Sequence, residues 1–181
     1  MRNAVLIIGF ALGLSGCGAA ADDVPKAEIF GGYSLLRADI HGMKFNTNGW
    51  NAAVTGNLNR YFGVTADMGG QYGTVAESGV SMTVHGHSFL FGPTVSYRTN
   101  KLKPFAHVLF GVSHGSFVNI GPATISENSF ALDAGGGLDI KVARHVSIRP
   151  VQLDWRSTSF FNSAQDNLRY AAGIVLNFGG H

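Results

Sequence analysis

Cysteine is nearly missing from the 181 residues. Cys17 is the only one, which excludes a disulfide framework and cysteine catalysis. Charge is also scarce, at 13% of residues against roughly 25% in an average soluble domain. Thirteen Lys and Arg against eleven Asp and Glu give a net charge of +2 with no basic block, so the electrostatic footprint of a nucleic-acid binder is missing. Only five prolines interrupt the chain. From Ala27 onward no window carries a helical apolar stripe. Glycine, with 25 residues, stands at about double its usual share. Together these shifts disfavour a cytosolic enzyme.

The N-terminus reads as a targeting segment. Met1-Arg2 is a minimal positive region, and Ala4 to Leu14 is an apolar run long enough for an export signal but too short to span a bilayer as a helix. Leu14-Ser15-Gly16-Cys17 has the pattern of a lipobox, whereas Ala19-Ala20-Ala21 before Asp22 has that of an ordinary cleavage site. The expectation is a signal peptide over residues 1–21 and one domain over 22–181, with a lipoprotein cut before Cys17 as the alternative.

The remainder alternates with period two, eight times over. The predicted strands are Ala27 to Leu36, Gly49 to Asn59, Phe62 to Tyr72, His87 to Arg98, Pro104 to Gly115, Ser129 to Val142, a seventh around Ile148 to Arg156, and Leu168 to Phe178. In the second, Trp50, Ala52, Val54, Gly56 and Leu58 oppose Asn51, Ala53, Thr55, Asn57 and Asn59. The seventh changes phase once, which places Pro150 at a β-bulge, where a missing N–H is tolerated. Eight strands near the length that crosses a bilayer at a tilt give an all-β fold, an eight-stranded antiparallel up-and-down transmembrane β-barrel.

Connections alternate short and long. The short ones are expected at the periplasmic end, and four long ones (Arg37–Thr47, Thr74–Thr83, Phe117–Asn128 and Ser159–Asn167) are expected as exposed recognition loops, whose composition names no extracellular ligand. On that polarity Tyr33, Trp50, Tyr72, Phe130, Trp155 and Tyr170 form an outer aromatic belt, and Phe62, Tyr97 and Phe178 an inner one. The polar faces carry five acids, Glu28, Asp67, Asp133, Asp139 and Asp154, and five bases, Arg98, Lys141, Arg149, Arg156 and Arg169. Buried ions need partners, and an eight-stranded barrel is just wide enough to be filled by side chains, so the ten are expected to pair and close the lumen. Ordinary diffusion-porin activity is not expected. A soluble lipocalin-type barrel would need the reverse orientation, apolar within and polar outside.

Lys26 to Ser34, Phe62 to Asp67 and the closing Tyr170 to Phe178 segment resemble the small outer-membrane β-barrel family that includes the OmpA transmembrane domain. The resemblance spans residues 26 to 179 and implies residence in the outer membrane, with lipid and lipopolysaccharide as surroundings. It also implies insertion by the barrel-assembly machinery, which reads a last strand of alternating apolar residues ending in an aromatic. Tyr170, Ala172, Ile174, Leu176 and Phe178 fit that pattern, although Gly179-Gly180-His181 follow. The globular domain by which OmpA holds peptidoglycan has no counterpart in this sequence, so tethering is not carried over.

His114-Gly115-Ser116 with Glu127 resembles the His-x-Ser and downstream Glu of lipid A deacylases, which are also eight-stranded barrels. In that alternative His114 would be the base, Ser116 the nucleophile and Glu127 the orienting acid. Two departures weigh against it: Phe117 stands where that family has Asn, and the parity of Glu127 matches the inward Ser129. Polar residues at a membrane rim are the expected role. His85-Gly86-His87 could chelate a metal, but no Cys, Asp or Glu flanks it closely, so neither a metal nor a cofactor is expected. Gly135-Gly136-Gly137 lies within a strand and is read as room for lumen side chains, and His107 as the partner of a nearby acid.

Overall fold

The computed structural model describes residues 24–40, 43–77, 80–118, 124–160 and 163–179. Its regular structure is all strand: β1 (Ala27–Ile40), β2 (Met43–Asn57), β3 (Phe62–Glu77), β4 (Val80–Ser96), β5 (Leu102–Val118), β6 (Thr124–Ala143), β7 (Val146–Phe160) and β8 (Ser163–Phe178). Each pairs antiparallel with the next, and β8 returns to β1 along a ladder from Ala27↔Phe178 to Ala38↔Asn167, which closes the barrel. Closure leaves no sheet edge. In hydrocarbon, where water cannot satisfy a bare N–H or C=O, that is the condition for a sheet to span. The residues 1–21 read as a signal peptide, with Cys17 and both cleavage patterns, lie outside the described residues.

The alternation sorts side chains as the sequence indicates. Ile29, Val54, Val108 and Ile174 face outward and are between 42% and 54% exposed, while Asp133, Asp154 and Arg169 are fully buried inside. The phase change in β7 is real: its register with β8 shifts between Arg149 and Gln152, so Ile148 and Leu153, an odd number of residues apart, both face outward. Pro150 sits in that slip, where the ladder asks nothing of its nitrogen.

The turns at residues 58–61, 97–101 and 144–145 are short and locally encoded. Asn59 Oδ1 accepts the N–H groups of Tyr61 and Phe62, both at 2.8 Å, and Thr99 Oγ1 accepts that of Leu102 at 3.0 Å. At the opposite end the expected loops require correction. Most of Arg37–Thr47, Thr74–Thr83, Phe117–Asn128 and Ser159–Asn167 is strand, and ladders continue to Ile40↔Met43, Glu77↔Val80, Val118↔Thr124 and Phe160↔Ser163. Where a strand need not bury one face, apolar–polar alternation has no reason to persist. The backbone ladder can persist without it, and the barrel wall rises as four hairpins.

Candidate functional site: the ionic lumen

Odd and even parity decide which residues enter the barrel, and the register decides which of them meet. At the short-turn mouth, Glu28 of β1 accepts from Arg98 Nη2 at 2.6 Å and also pairs with Lys103 of β5. Lys103 Nζ reaches Asp139 of β6 at 2.8 Å. Asp139 in turn takes a two-point fork from Arg149 of β7, with Nε at 2.6 Å and Nη2 at 3.1 Å. The Arg149 guanidinium lies between two rings, 4.4 Å from the Phe30 centroid and 4.2 Å from that of Phe105. A weakly hydrated planar cation suits such a slot, where an ammonium would not.

Gln152 connects this lower group to the centre. Its Oε1 accepts from Arg149 Nη1 at 2.7 Å and its Nε2 donates to Asp154 Oδ2 at 2.8 Å. Asp154 also accepts from His107 Nε2 at 2.8 Å and from Arg169 Nε at 2.9 Å. Arg169 is the hub: it bridges Asp154, Asp67 at 2.9 Å and Asp133 at 3.2 Å. Asp133 holds Arg156 through Nε and Nη2, each at 2.7 Å, and Asn51 Nδ2 donates to Asp67 at 2.9 Å. Fully buried ions are tolerated because each has an opposite partner and further hydrogen bonds.

Nine of the ten residues expected to pair are brought together: Glu28, Asp67, Arg98, Asp133, Asp139, Arg149, Asp154, Arg156 and Arg169. Lys141 is the correction. It is exposed at the short-turn mouth and makes no ion pair among the described residues, and Lys103 takes its place in the balance. The physical reason is height, since Lys141 lies two residues beyond Asp139 at a register shift where the wall ends. Lys103 is legible in principle, since it shares parity with Phe105 and His107, but it precedes Pro104, where the sequence pattern starts the strand, whereas β5 begins at Leu102.

Glycine makes room for this packing. A Cβ on Gly135 would strike Asp154 Oδ1 and the β7 backbone, and one on Gly137 would come within 2.9 Å of the Phe105 ring. Two small apolar patches, Phe30, Ala53, Ala171 and Val175, and Leu90, Leu109 and Ala131, fill the gaps between the ions. A cavity between Thr65, Arg98 and Arg149 has a volume of about 10 Å³, near the lower limit for a single water. A wider vestibule of about 130 Å³ opens at the short-turn mouth, lined by Glu28, Arg98, Lys101, Lys141 and Arg144.

The outer wall carries the expected aromatics. Tyr33, Trp50, Phe62, Tyr72, Tyr97, Phe130, Trp155, Tyr170 and Phe178 all face outward, at 36% to 61% exposure. Tyr33 Oη donates to Asn48 Oδ1 at 2.5 Å, and the Tyr61 and Tyr97 rings stack at 6.5 Å near the short turns.

Of the deacylase-like trio, the side chain of Glu127 lies outside the described residues. His114 and Ser116 share the outer wall, but the ladder sets Glu127 opposite the inward-facing Gly115, and His114 Nδ1 lies 2.7 Å from Asn128 Oδ1. No group of three or more potential metal ligands occurs among the described residues.

A family model described as "Outer membrane protein beta-barrel domain" matches residues 8–181. No protein of curated function matches the chain in sequence. Among solved structures, Neisserial surface protein A (NspA) aligns with a TM-score of 0.70 at 12% identity, covering 84% of this chain and 97% of that one. The attachment invasion locus protein Ail of Yersinia pestis, in complex with the heparin analogue sucrose octasulfate, aligns at 0.59 and 18% identity, covering 84% and 99%. OprG of Pseudomonas aeruginosa aligns at 0.58 and 13% identity, covering 87% and 97%. At these identities the likeness is one of fold.

Proposed function

The chain belongs to the outer membrane protein β-barrel domain family, and from that premise we propose that it is a closed anchor in the outer membrane, which carries four hairpins outward for recognition and passes no solute through its lumen. The observation that carries this reading is the continuous chain of ion pairs and hydrogen bonds from Glu28 through Lys103, Asp139, Arg149, Gln152 and Asp154 to Arg169. A diffusing solute would have to break these contacts in a low-dielectric interior, where each bare charge costs several kcal/mol. Ail was solved with a heparin analogue bound, and extracellular recognition on this scaffold is the role we extend to the hairpins β1–β2, β3–β4, β5–β6 and β7–β8. The outer wall meets membrane lipid, β8 ending at Phe178 is the segment offered to the barrel-assembly machinery, and residues 1–21 serve export.

Reconstitution into planar bilayers tests the closed lumen. The wild type is expected to leave the membrane conductance at its baseline, and removal of the hub by Arg169→Ala together with Asp154→Ala is expected to produce a leak. Stepwise ohmic conductance by the wild type would overturn the proposal.

A further inference from the structure

The cations at the short-turn mouth outnumber the acids that could hold them. Five of them, Arg98, Lys101, Lys103, Lys141 and Arg144, line the vestibule of about 130 Å³, against two carboxylates, Glu28 and Asp139. Each carboxylate already holds two cations: Glu28 pairs with Arg98 and Lys103, and Asp139 with Lys103 and Arg149. Both terminal nitrogens of Arg98 are engaged, Nη1 with the Arg60 carbonyl and Ser96 Oγ, and Nη2 with Glu28 and Asn57 Oδ1. Lys101, Lys141 and Arg144 are left over. They are exposed and make no ion pair among the described residues.

The backbone holds two of these three together. The Lys141 N–H donates to the Lys101 carbonyl at 2.8 Å, one step beyond the Leu102↔Ile140 pair, so the two lysines stand opposite each other where β5 and β6 meet the mouth. Like charges directly opposite one another destabilise a sheet, and neither lysine has a carboxylate of its own to offset the repulsion.

We propose that this vestibule is an anion site that takes a phosphate dianion, free or as a monoester, held by Lys101, Lys141 and Arg144. Charge is the first argument. A phosphate monoester carries about −1.5 to −2 near neutral pH, which matches three uncommitted cations better than a single carboxylate does. Shape is the second. Two ammonium point donors and one guanidinium fork meet a tetrahedral group that has an oxygen for each, whereas a carboxylate has only two oxygens. The volume is that of several waters at about 30 Å³ each, room enough for such a group. Position is the third. Glu28, Arg98 and Lys103 line both the vestibule and the small cavity beneath it, and their ion pairs form a floor that keeps the anion at the mouth. The inference goes beyond the closed-anchor reading and does not depend on it, since binding at the mouth and conductance through the lumen are measured separately.

The test uses the full barrel in a maltoside detergent, which carries no phosphate. It is titrated calorimetrically at about pH 8 with inorganic phosphate, with glycerol 3-phosphate and with succinate, a dicarboxylate of similar charge. At least one of the two phosphates is expected to bind about tenfold or more tightly than succinate, and the tighter of the two tells a free ion from a monoester. In the Lys101→Gln, Lys141→Gln double variant the affinity for phosphate is expected to fall about tenfold or more. Because that variant relieves a like-charge contact, it is expected to melt no lower than the wild type, and heat-modifiable gel migration checks its fold. Lys26→Gln removes an exposed cation at the same end but outside the vestibule lining, and is expected to change the affinity by less than about twofold. Asp22→Asn with Asp23→Asn, just before the lining residue Pro25 in sequence, is likewise expected to leave it within about twofold. As a second readout on the wild type, the backbone amide resonances of Lys101, Lys141 and Arg144 are expected to shift on adding phosphate. No measurable binding of either phosphate, succinate binding as tight as both, an equal loss in Lys26→Gln, a gain on removing the Asp22 and Asp23 charges, or unmoved amide resonances would overturn the proposal.

Discussion

The hydroxyl of Tyr170 donates to the carbonyl of Pro150 at 2.7 Å, across the slip where β7 and β8 lose register between Arg149 and Gln152. The bulge accommodates a proline without an N–H, and it also frees a carbonyl on a wall that faces hydrocarbon, where water cannot satisfy it. Tyr170 supplies the missing donor from the neighbouring strand. Tyr170→Phe is expected to lower stability by about 1–3 kcal/mol in equilibrium unfolding from lipid vesicles. An unchanged unfolding midpoint would mean that the carbonyl is satisfied elsewhere.

The hub is expected to dominate the energetics of the lumen. Arg169→Met leaves Asp67, Asp133 and Asp154 without their shared cation and is expected to cost about 3–5 kcal/mol. Adding Asp154→Asn to that variant removes one of the stranded charges. The double variant should therefore lose less than the sum of the two single changes, by about 0.5–3 kcal/mol. Strict additivity in a double-mutant cycle would show that the two groups do not act as one unit.

Two glycines of similar sequence context should respond in opposite ways. A Cβ on Gly31 meets nothing within 4 Å, so Gly31→Ala is expected to be neutral or slightly stabilising. A Cβ on Gly135 drives into Asp154 and the β7 backbone, so Gly135→Ala should displace Asp154 from His107 and Arg169. A thermal melt that drops for Gly135→Ala and not for Gly31→Ala is the expected result.

Cations introduced on the outer wall should show the depth of the bilayer. Val108, in the middle of the apolar stretch of β5, is expected to lose about 2–4 kcal/mol on Val108→Arg, whereas Ser116→Arg near the hairpin end should cost about 0–1 kcal/mol. Equal penalties in a vesicle-based unfolding titration would place the band elsewhere.

The strands were legible because a sheet buried in lipid on one face and in an ionic core on the other imposes strict alternation, as in Trp50, Ala52 and Val54 against Asn51, Ala53 and Thr55. The phase change around Pro150 was legible for the same reason, since one extra residue is the only way to keep Ile148 and Leu153 on the lipid side. What depends on register was not legible. Nothing in the local sequence sets His87 opposite His114, or Tyr170 within reach of Pro150. The hairpin extensions are not legible as strands because apolar–polar alternation fades there, although the ladder Leu36↔Thr47 to Ile40↔Met43 continues. Lys141 and Lys103 were exchanged because parity tells which side of the wall a residue is on and not how far along the axis it sits.

The central claim is that apolar side chains face lipid and ions face one another within. Single cysteines placed on a Cys17→Ser background, in bilayers, test it most directly. Val108→Cys and Ile174→Cys, coupled to a lipophilic fluorophore, are expected to be strongly quenched by brominated lipid tails, while Ser113→Cys and Gln152→Cys remain unreactive towards both lipid-phase and aqueous maleimides. Quenching absent at residues 108 and 174, with ready aqueous labelling at 113 and 152, would contradict the account.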